Sequence, residues 1–237
     1  MRAHRVRALL MGGQACVSYG AAEFSRDVDL AILASVANLD ALRGAMEDLR
    51  AEVIAVPPFE AKYLRKGHAI HFRCNDPEVD GLRVDVMSRM RGVDPFAKLW
   101  KRRTTVELPD GTTFDLLSVP DLVRAKKTQR DKDWPMIRRL VEADFFGRRE
   151  TATAVDIRFW LSELRTPELL VAVAGAHPDT CRRLVRRRSL LRQVLTGDEQ
   201  AIAAALRNEE EAEREADRRY WEPLRRELEI LRHTRNR

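Results

Sequence analysis

The sequence predicts an α/β (α+β) protein, and three observations carry that prediction. Short apolar segments parted by turn residues recur through residues 1–116, a Gly-Gly pair and an Asp-Gly pair punctuate them, and no convincing strand follows Ser118. A mixed sheet is therefore expected within residues 1–116, with a helical domain over residues 117–237.

In chain order, "VRALLM" (residues 6–11) reads as a strand ending at Gly12-Gly13, and "QACVSYGA" has helical character. "DVDLAIL" is a second strand. "NLDALRGAMEDLRAEV" carries Leu39, Leu42, Met46 and Leu49 at helical spacing, with Asn38 as its expected cap. "AIHFRC" and "LRVDVMS", parted by the turn-rich "NDPEVDG", read as a hairpin, and Asp110-Gly111 inside "TTVELPDGTTFDLL" is a strong hairpin signal. From Ser118, "SVPDLVRAKKTQRDKDWPMIRRLVEADFF" opens on a Ser-x-x-Asp capping pattern and continues with helical periodicity. Three or four further helical segments are expected over residues 151–237, broken near Thr166-Pro167, His177-Pro178 and Thr196-Gly197.

The bulk numbers narrow the class. With 237 residues and 44% hydrophobic content the chain can bury a sizeable core. No apolar run approaches the roughly 18 residues of a membrane span, and the start lacks an h-region and a small-residue cleavage site, so a cytoplasmic protein is expected. Cys16, Cys74 and Cys181 are odd in number and widely spaced, which excludes a disulfide framework or zinc finger and predicts free thiols. A net charge of +6 permits a polyanionic partner without requiring one.

The chemistry is concentrated in "LLMGGQACVSYGAAEFSRDVDLAIL". Side chains alternate along a strand, so Asp27 and Asp29 are expected on one face, about 7 Å apart. Two such carboxylates repel and call for a cation, and hard oxygen ligands suit Mg²⁺ or Mn²⁺. Asp85, alone within the apolar strand "LRVDVMS", is the expected third ligand. Gly12-Gly13, free of side chains at a strand-to-helix turn, would let backbone N–H groups approach phosphate oxygens. His68 and His71 read as ordinary surface or half-buried residues. The arginine cluster over residues 182–192 reads equally as a solvated helix or as a grip on RNA, as does Lys101-Arg102-Arg103.

This pattern of Gly-Gly, Asp-Val-Asp and a later strand bearing one aspartate resembles the nucleotidyltransferase superfamily that shares its core with DNA polymerase beta. "GGQACVSYG" and "SRDVDLAIL" look like the bacterial branch of the AbiEii-type and MenT toxins and small antibiotic-modifying enzymes, and "SVPDLVRAKKTQRDKDWPMIRRL" is similar to the helical segment behind the AbiEii-type core. The resemblance covers residues 6–33, 80–88 and 116–140. It implies a nucleotidyltransferase fold, with a catalytic domain at residues 1–116, and transfer of a nucleoside monophosphate from an NTP with release of pyrophosphate. On that implication Asp27 and Asp29 bind both metals, and Asp85 binds the one that activates the acceptor. Gly12, Gly13 and Ser25 attend the triphosphate, and Lys126 and Arg130 reach it from one helical face, oriented by Asp133. Gly13 departs from the serine that many relatives carry there.

Three readings of function remain open at this point. The first is a toxin-like enzyme that modifies tRNA or another macromolecule, with a cognate antitoxin as a possible partner. The second is a small-molecule, antibiotic-modifying transferase. The third is a catalytically silent nucleotide- or RNA-binding module.

Overall fold

Short strands build one mixed sheet in the N-terminal part of the chain, as seen in a computed structural model that describes residues 1–235. The strands are β1 (Ala8–Met11), β2 (Val28–Ile32), β3 (Glu52–Val53), β4 (Ile70–Arg73), β5 (Arg83–Met87), β6 (Thr104–Glu107) and β7 (Thr113–Leu116). Their order is β3-β4-β5-β2-β1-β7-β6, with β2–β5 and β1–β7 parallel and the other neighbours antiparallel. Both expected hairpins form, β4–β5 and β6–β7.

Among the described residues, contacts divide the chain into two compact units. The first comprises Met1–Ser18, Ala22–Ala125 and residues 219–235, and the second Tyr19–Ala21 with Lys126–Arg218. In the first, α1 (Gly12–Ser18), α2 (Val36–Asp48), α3 (Ala61–Lys66), α4 (Phe96–Lys101) and α5 (Val119–Lys126) accompany the sheet. Leu30 and Ile32, Ile70 and Phe72, and Val84 and Val86 face one way and pack with Leu39, Leu42 and Met46 of α2 and Tyr63 and Leu64 of α3. Each fully buried aliphatic side chain of this kind contributes about 1.5–3 kcal/mol through removal of apolar surface from water. The same alternation commits Asp29, His71, Arg83 and Asp85 to the opposite face.

The second unit is helical: α6 (Asp133–Arg148), α7 (Ala154–Glu163), α8 (Pro167–Ala176), α9 (Pro178–Leu184), α10 (Leu191–Thr196) and the greater part of α11 (Glu199–Arg235). Pro167 and Pro178 open their helices at the expected breaks, and Gly197 follows the end of α10. Cys16, Cys74 and Cys181 are buried and none is in a disulfide, as expected. No helix among the described residues is long and apolar enough to cross a membrane.

Four local expectations are corrected. Ser35, not Asn38, caps α2: its hydroxyl accepts from the Asn38 amide. The Asn38 side chain is turned inward instead, accepting from the Arg7 amide at 2.7 Å and donating to the Arg7 and Leu33 carbonyls. The helix expected to run on from Ser118 breaks between α5 and α6, because residues 127–132 form polar bonds incompatible with a continuous helix. The cluster over residues 182–192 is not one helix, since α9 ends at Leu184 and α10 begins at Leu191. Between them Arg188 is buried, donating to the Leu161 and Leu164 carbonyls and holding Glu209 with two bonds, so it is structural and has no part in a surface grip.

Candidate functional site

Strand register builds the site. Met11 of β1 stands opposite Asp29 of β2, Asp29 opposite Asp85 of β5, and Asp85 opposite His71 of β4. Residues directly opposite one another share a face, so Asp29, Asp85 and His71 form a row across three neighbouring strands, on the face away from the apolar core. Neighbouring strands are about 4.8 Å apart, which holds Asp29 and Asp85 side by side. Asp27 does not reach this row by strand alternation, as the sequence suggested: β2 begins at Val28, and Asp27 lies in the bend before it.

Two glycines make room for this arrangement. Gly12 opens α1 with φ of +66°, and a Cβ built on it would lie 1.8 Å from the Asp29 Oδ2 atom. A Cβ on Gly13 would lie 2.3 Å from Ser25 Oγ. Any side chain at either place collides with a predicted site residue, and at Gly12 the left-handed backbone adds strain. The loop ahead of β2 is tied to α1 as well: Gln14 Nε2 donates to the Ser25 carbonyl at 2.7 Å, and Ser25 Oγ donates to the Asp27 carbonyl at 3.3 Å. Gly12, Gly13, Ser25, Asp27 and Asp29 are thus brought together by short-range structure, and Asp85 by register.

Two further residues escaped the sequence reading. Arg83, two positions before Asp85 on the same face of β5, grips that carboxylate with Nε to Oδ1 and Nη2 to Oδ2, both at 2.9 Å. His71, read from sequence as an ordinary histidine, places Nδ1 2.7 Å from Asp85 Oδ1 and 3.1 Å from Arg83 Nη2. A guanidinium only donates and a carboxylate only accepts, so Nδ1 can serve one of them at a time. Burial alone would push the Asp85 carboxyl up; hydrogen bonds from His71 and Arg83 outweigh it and hold that carboxyl below its ordinary range. Arg83 is in turn raised, first by its bond to Asp85 and also by the charges of Asp85, Asp27 and Asp29, against the opposing effect of burial. Its guanidinium is the counter-charge common to all three aspartates. The Arg-x-Asp spacing was the available signal for Arg83, whereas His71 required knowledge of the β4–β5 register.

The donor chemistry of three carboxylates fits a hard divalent cation. Among the described residues, however, no group of three or more His, Cys, Asp or Glu side chains is gathered closely enough to hold a metal ion. As it stands, the site is a carboxylate–guanidinium network, and a cation would have to take over Asp85 oxygens that Arg83 holds.

Lys126 and Arg130 belong to the second unit and do not share a helical face: Lys126 ends α5, and Arg130 lies in the loop before α6. Asp133 joins them nonetheless. This 1% exposed carboxylate accepts from Lys126 Nζ at 3.1 Å, Thr128 Oγ1 at 2.5 Å and Arg130 Nε at 2.8 Å. Burial would raise the Asp133 carboxyl, but the Lys126 charge, the Thr128 bond and the Arg130 charge together lower it. Lys126, itself buried, is committed to this pair.

No family model matches the chain, and no curated protein matches it.

Gly12→Ala is expected to destabilise the protein by about 2–4 kcal/mol, from left-handed strain and overpacking against Asp29. Urea unfolding measures this, and a loss below about 0.5 kcal/mol contradicts the close approach. Arg83→Ala should raise the Asp85 pKa, because burial then acts with less opposition; carbon-detected NMR titration of the carboxyl follows it. The sign follows from linkage. A depressed folded pKa adds stability above the ordinary value near 3.9 that is lost as pH falls through the folded pKa, so this variant should lose less stability on acidification than the parent. An unchanged Asp85 titration would remove Arg83 as a counter-charge to it.

Proposed function

We propose that the chain is a metal-dependent nucleotidyltransferase that moves a nucleoside monophosphate from an NTP onto an acceptor. One observation carries this reading: Asp29 and Asp85 are in register on adjacent parallel strands, with Gly12 closed against the Asp29 carboxylate. Carboxylates facing each other cost stability unless a cation is shared, and a glycine without room for a Cβ leaves backbone at the same place. The seven-stranded mixed sheet is consistent with a nucleotidyltransferase fold, which the reading takes as its scaffold.

In this reading Asp27, Asp29 and Asp85 would hold Mg²⁺ or Mn²⁺, with Gly12, Gly13 and Ser25 beside the phosphates. When bound, the ions would neutralise charge on the phosphates and lower the pKa of the acceptor hydroxyl. The acceptor oxygen bonds to the α-phosphorus, the bond from the α-phosphorus to the bridging oxygen breaks, and pyrophosphate leaves with that electron pair. A carboxyl held below its ordinary range is a weak base, so Asp85 is assigned to cation binding and the hydroxyl proton passes to solvent. Lys126 and Arg130, engaged by Asp133, enter as residues that support NTP use by the helical unit's integrity rather than as assigned phosphate contacts. The acceptor class we favour is tRNA or another macromolecule, and the family likeness adds a toxin-like role with a cognate antitoxin.

A second reading has an observation of its own. Arg83 supplies positive charge to Asp85 without any metal, so the aspartates could persist in a catalytically silent nucleotide- or RNA-binding module.

Incubation with each labelled NTP and Mg²⁺, alone, with total tRNA, with small-molecule acceptors and with lysate protein separates these. Label transferred to an acceptor is expected, and Asp27→Ala and Asp29→Ala should each reduce it by at least about a hundredfold with the fold retained. Absence of transfer to every acceptor class, or full transfer by both variants, overturns the enzymatic reading.

A further inference from the structure

Beyond the aspartate site, the second unit contains a groove whose chemistry points to a phosphate-bearing ligand. It encloses about 610 Å³ between matching helical faces: Trp134, Pro135, Arg138 and Arg139 on α6, and Leu206, Arg207, Glu210 and Arg214 on α11. Successive members on each helix are spaced one, three or four residues apart, so each helix contributes one continuous stripe. The volume is that of a small-molecule site. Trp134 and Leu206, both buried, form part of an apolar floor, and five arginines line the groove against three acids.

The charges within the groove do not cancel. Glu142 is taken by Arg138 at 3.1 Å and by the Thr166 hydroxyl, while Asp131 and Glu210 are both taken by Arg214. Arg139 and Arg207, both exposed, have no hydrogen-bond or ion-pair partner among the described residues. The third surplus cation is Arg165, whose side chain is only 7% exposed. Its Nη2 donates to the Leu206 carbonyl at 2.9 Å, but its acid is a shared one: Glu209 is held by Arg188 with bonds of 3.0 and 2.8 Å, leaving Arg165 a contact of 3.3 Å. Burial, opposed incompletely by Glu209, lowers the Arg165 pKa. A buried guanidinium short of negative charge is costly to the protein alone and is relieved by an anion.

Trp134 defines which anion. Its indole is fixed by donation to the Thr128 carbonyl at 2.9 Å, and the guanidinium carbons of Arg165 and Arg214 lie 4.6 and 5.6 Å from its ring centroid. Those arginines occupy the aromatic surface that a nucleobase would need for stacking, while several guanidinium edges remain for oxygens. Planar forks of N–H donors match phosphate geometry.

We propose that this groove binds phosphate groups, with Arg165 fixed in its wall and Arg139 and Arg207 closing on the ligand. The proposal does not rest on the nucleotidyltransferase reading and needs no metal. Free polyphosphate and the backbone of RNA present the same chemistry, and the test separates them.

The full chain, in buffer with EDTA, is titrated by calorimetry with pyrophosphate and by fluorescence anisotropy with a labelled twelve-nucleotide RNA. Binding of at least one probe is expected. The double variant Arg139→Gln, Arg207→Gln changes only exposed side chains and should weaken that binding by about tenfold, the equivalent of losing charge-assisted contacts. A control double variant, Arg186→Gln, Arg187→Gln, removes the same charge elsewhere on the same unit and should bind as the parent does. Pyrophosphate binding identifies a free anion as sufficient. RNA binding alone, falling steeply with salt, identifies the nucleic acid backbone. The proposal is overturned if neither probe binds, if the groove variant weakens binding less than threefold, or if the control variant weakens it as much as the groove variant.

Discussion

Two carboxylates facing each other across neighbouring strands are the constraint to which the site owes its form. Asp29 and Asp85 are opposite in register, and their strands are about 4.8 Å apart. At about 5 Å, two like charges repel by about 3 kcal/mol for an effective dielectric constant near 20, a sizeable share of a domain's net stability. Neither aspartate can move away, because a one-residue slip of β2 or β5 would carry Leu30, Ile32, Val84 and Val86 out of the core. The apolar face of the sheet therefore enforces the charge pairing on the polar face. What remains adjustable is the counter-charge, and in this structure Arg83 provides it.

That division of labour gives Arg83 the job that the proposed reading assigns to a divalent cation. In that reading the ion would offer positive charge where Arg83 now does and would compete with the guanidinium for the Asp85 carboxyl, which is held below its ordinary range. Arg83 sits on the strand itself, with its side chain 40% exposed, so it has solvent into which to swing. Gly12 complements this from the other side. Its missing side chain lets Asp29 stay close to the start of α1, and the backbone there is already in the left-handed conformation that glycine tolerates best. The aspartates, the glycine and the arginine form one electrostatic unit, in which no member is explained without the others.

How much of this could be read from the sequence depended on range. The hairpins, the helix breaks at Pro167 and Pro178 and the burial of Leu39, Leu42 and Met46 follow from turn residues and periodicity, which are local signals. Asp29, Asp85, Gly12 and Gly13 were legible as chemistry out of place: charge in apolar strands and paired glycines at a strand end. The alternation of "DVDLAIL" includes Asp27, whereas pairing with β1 and β5 begins only after it, so the strand starts one residue later than its pattern suggests. His71 reads as an ordinary histidine in the sequence because its meaning comes from the strand opposite, fourteen residues away. Lys126 and Arg130 looked like one helical stripe, but the Thr128 and Asp133 side chains offer the backbone and each other better bonds than a continuous helix would. Arg188 looked like surface charge and is buried, because the carbonyls of Leu161 and Leu164 at the end of α7 need donors.

The claim that Asp29 and Asp85 form a cation site, with Arg83 holding the place of the ion, is tested most directly by a crystal structure of the protein soaked with Mn²⁺ and a non-hydrolysable NTP, phased to reveal anomalous scattering. The account predicts a manganese peak within bonding distance of both the Asp29 and Asp85 carboxylates, with the Arg83 guanidinium withdrawn from Asp85. An Arg83 still gripping Asp85 through both nitrogens at saturating Mn²⁺, with no anomalous peak between the two aspartates, would contradict it.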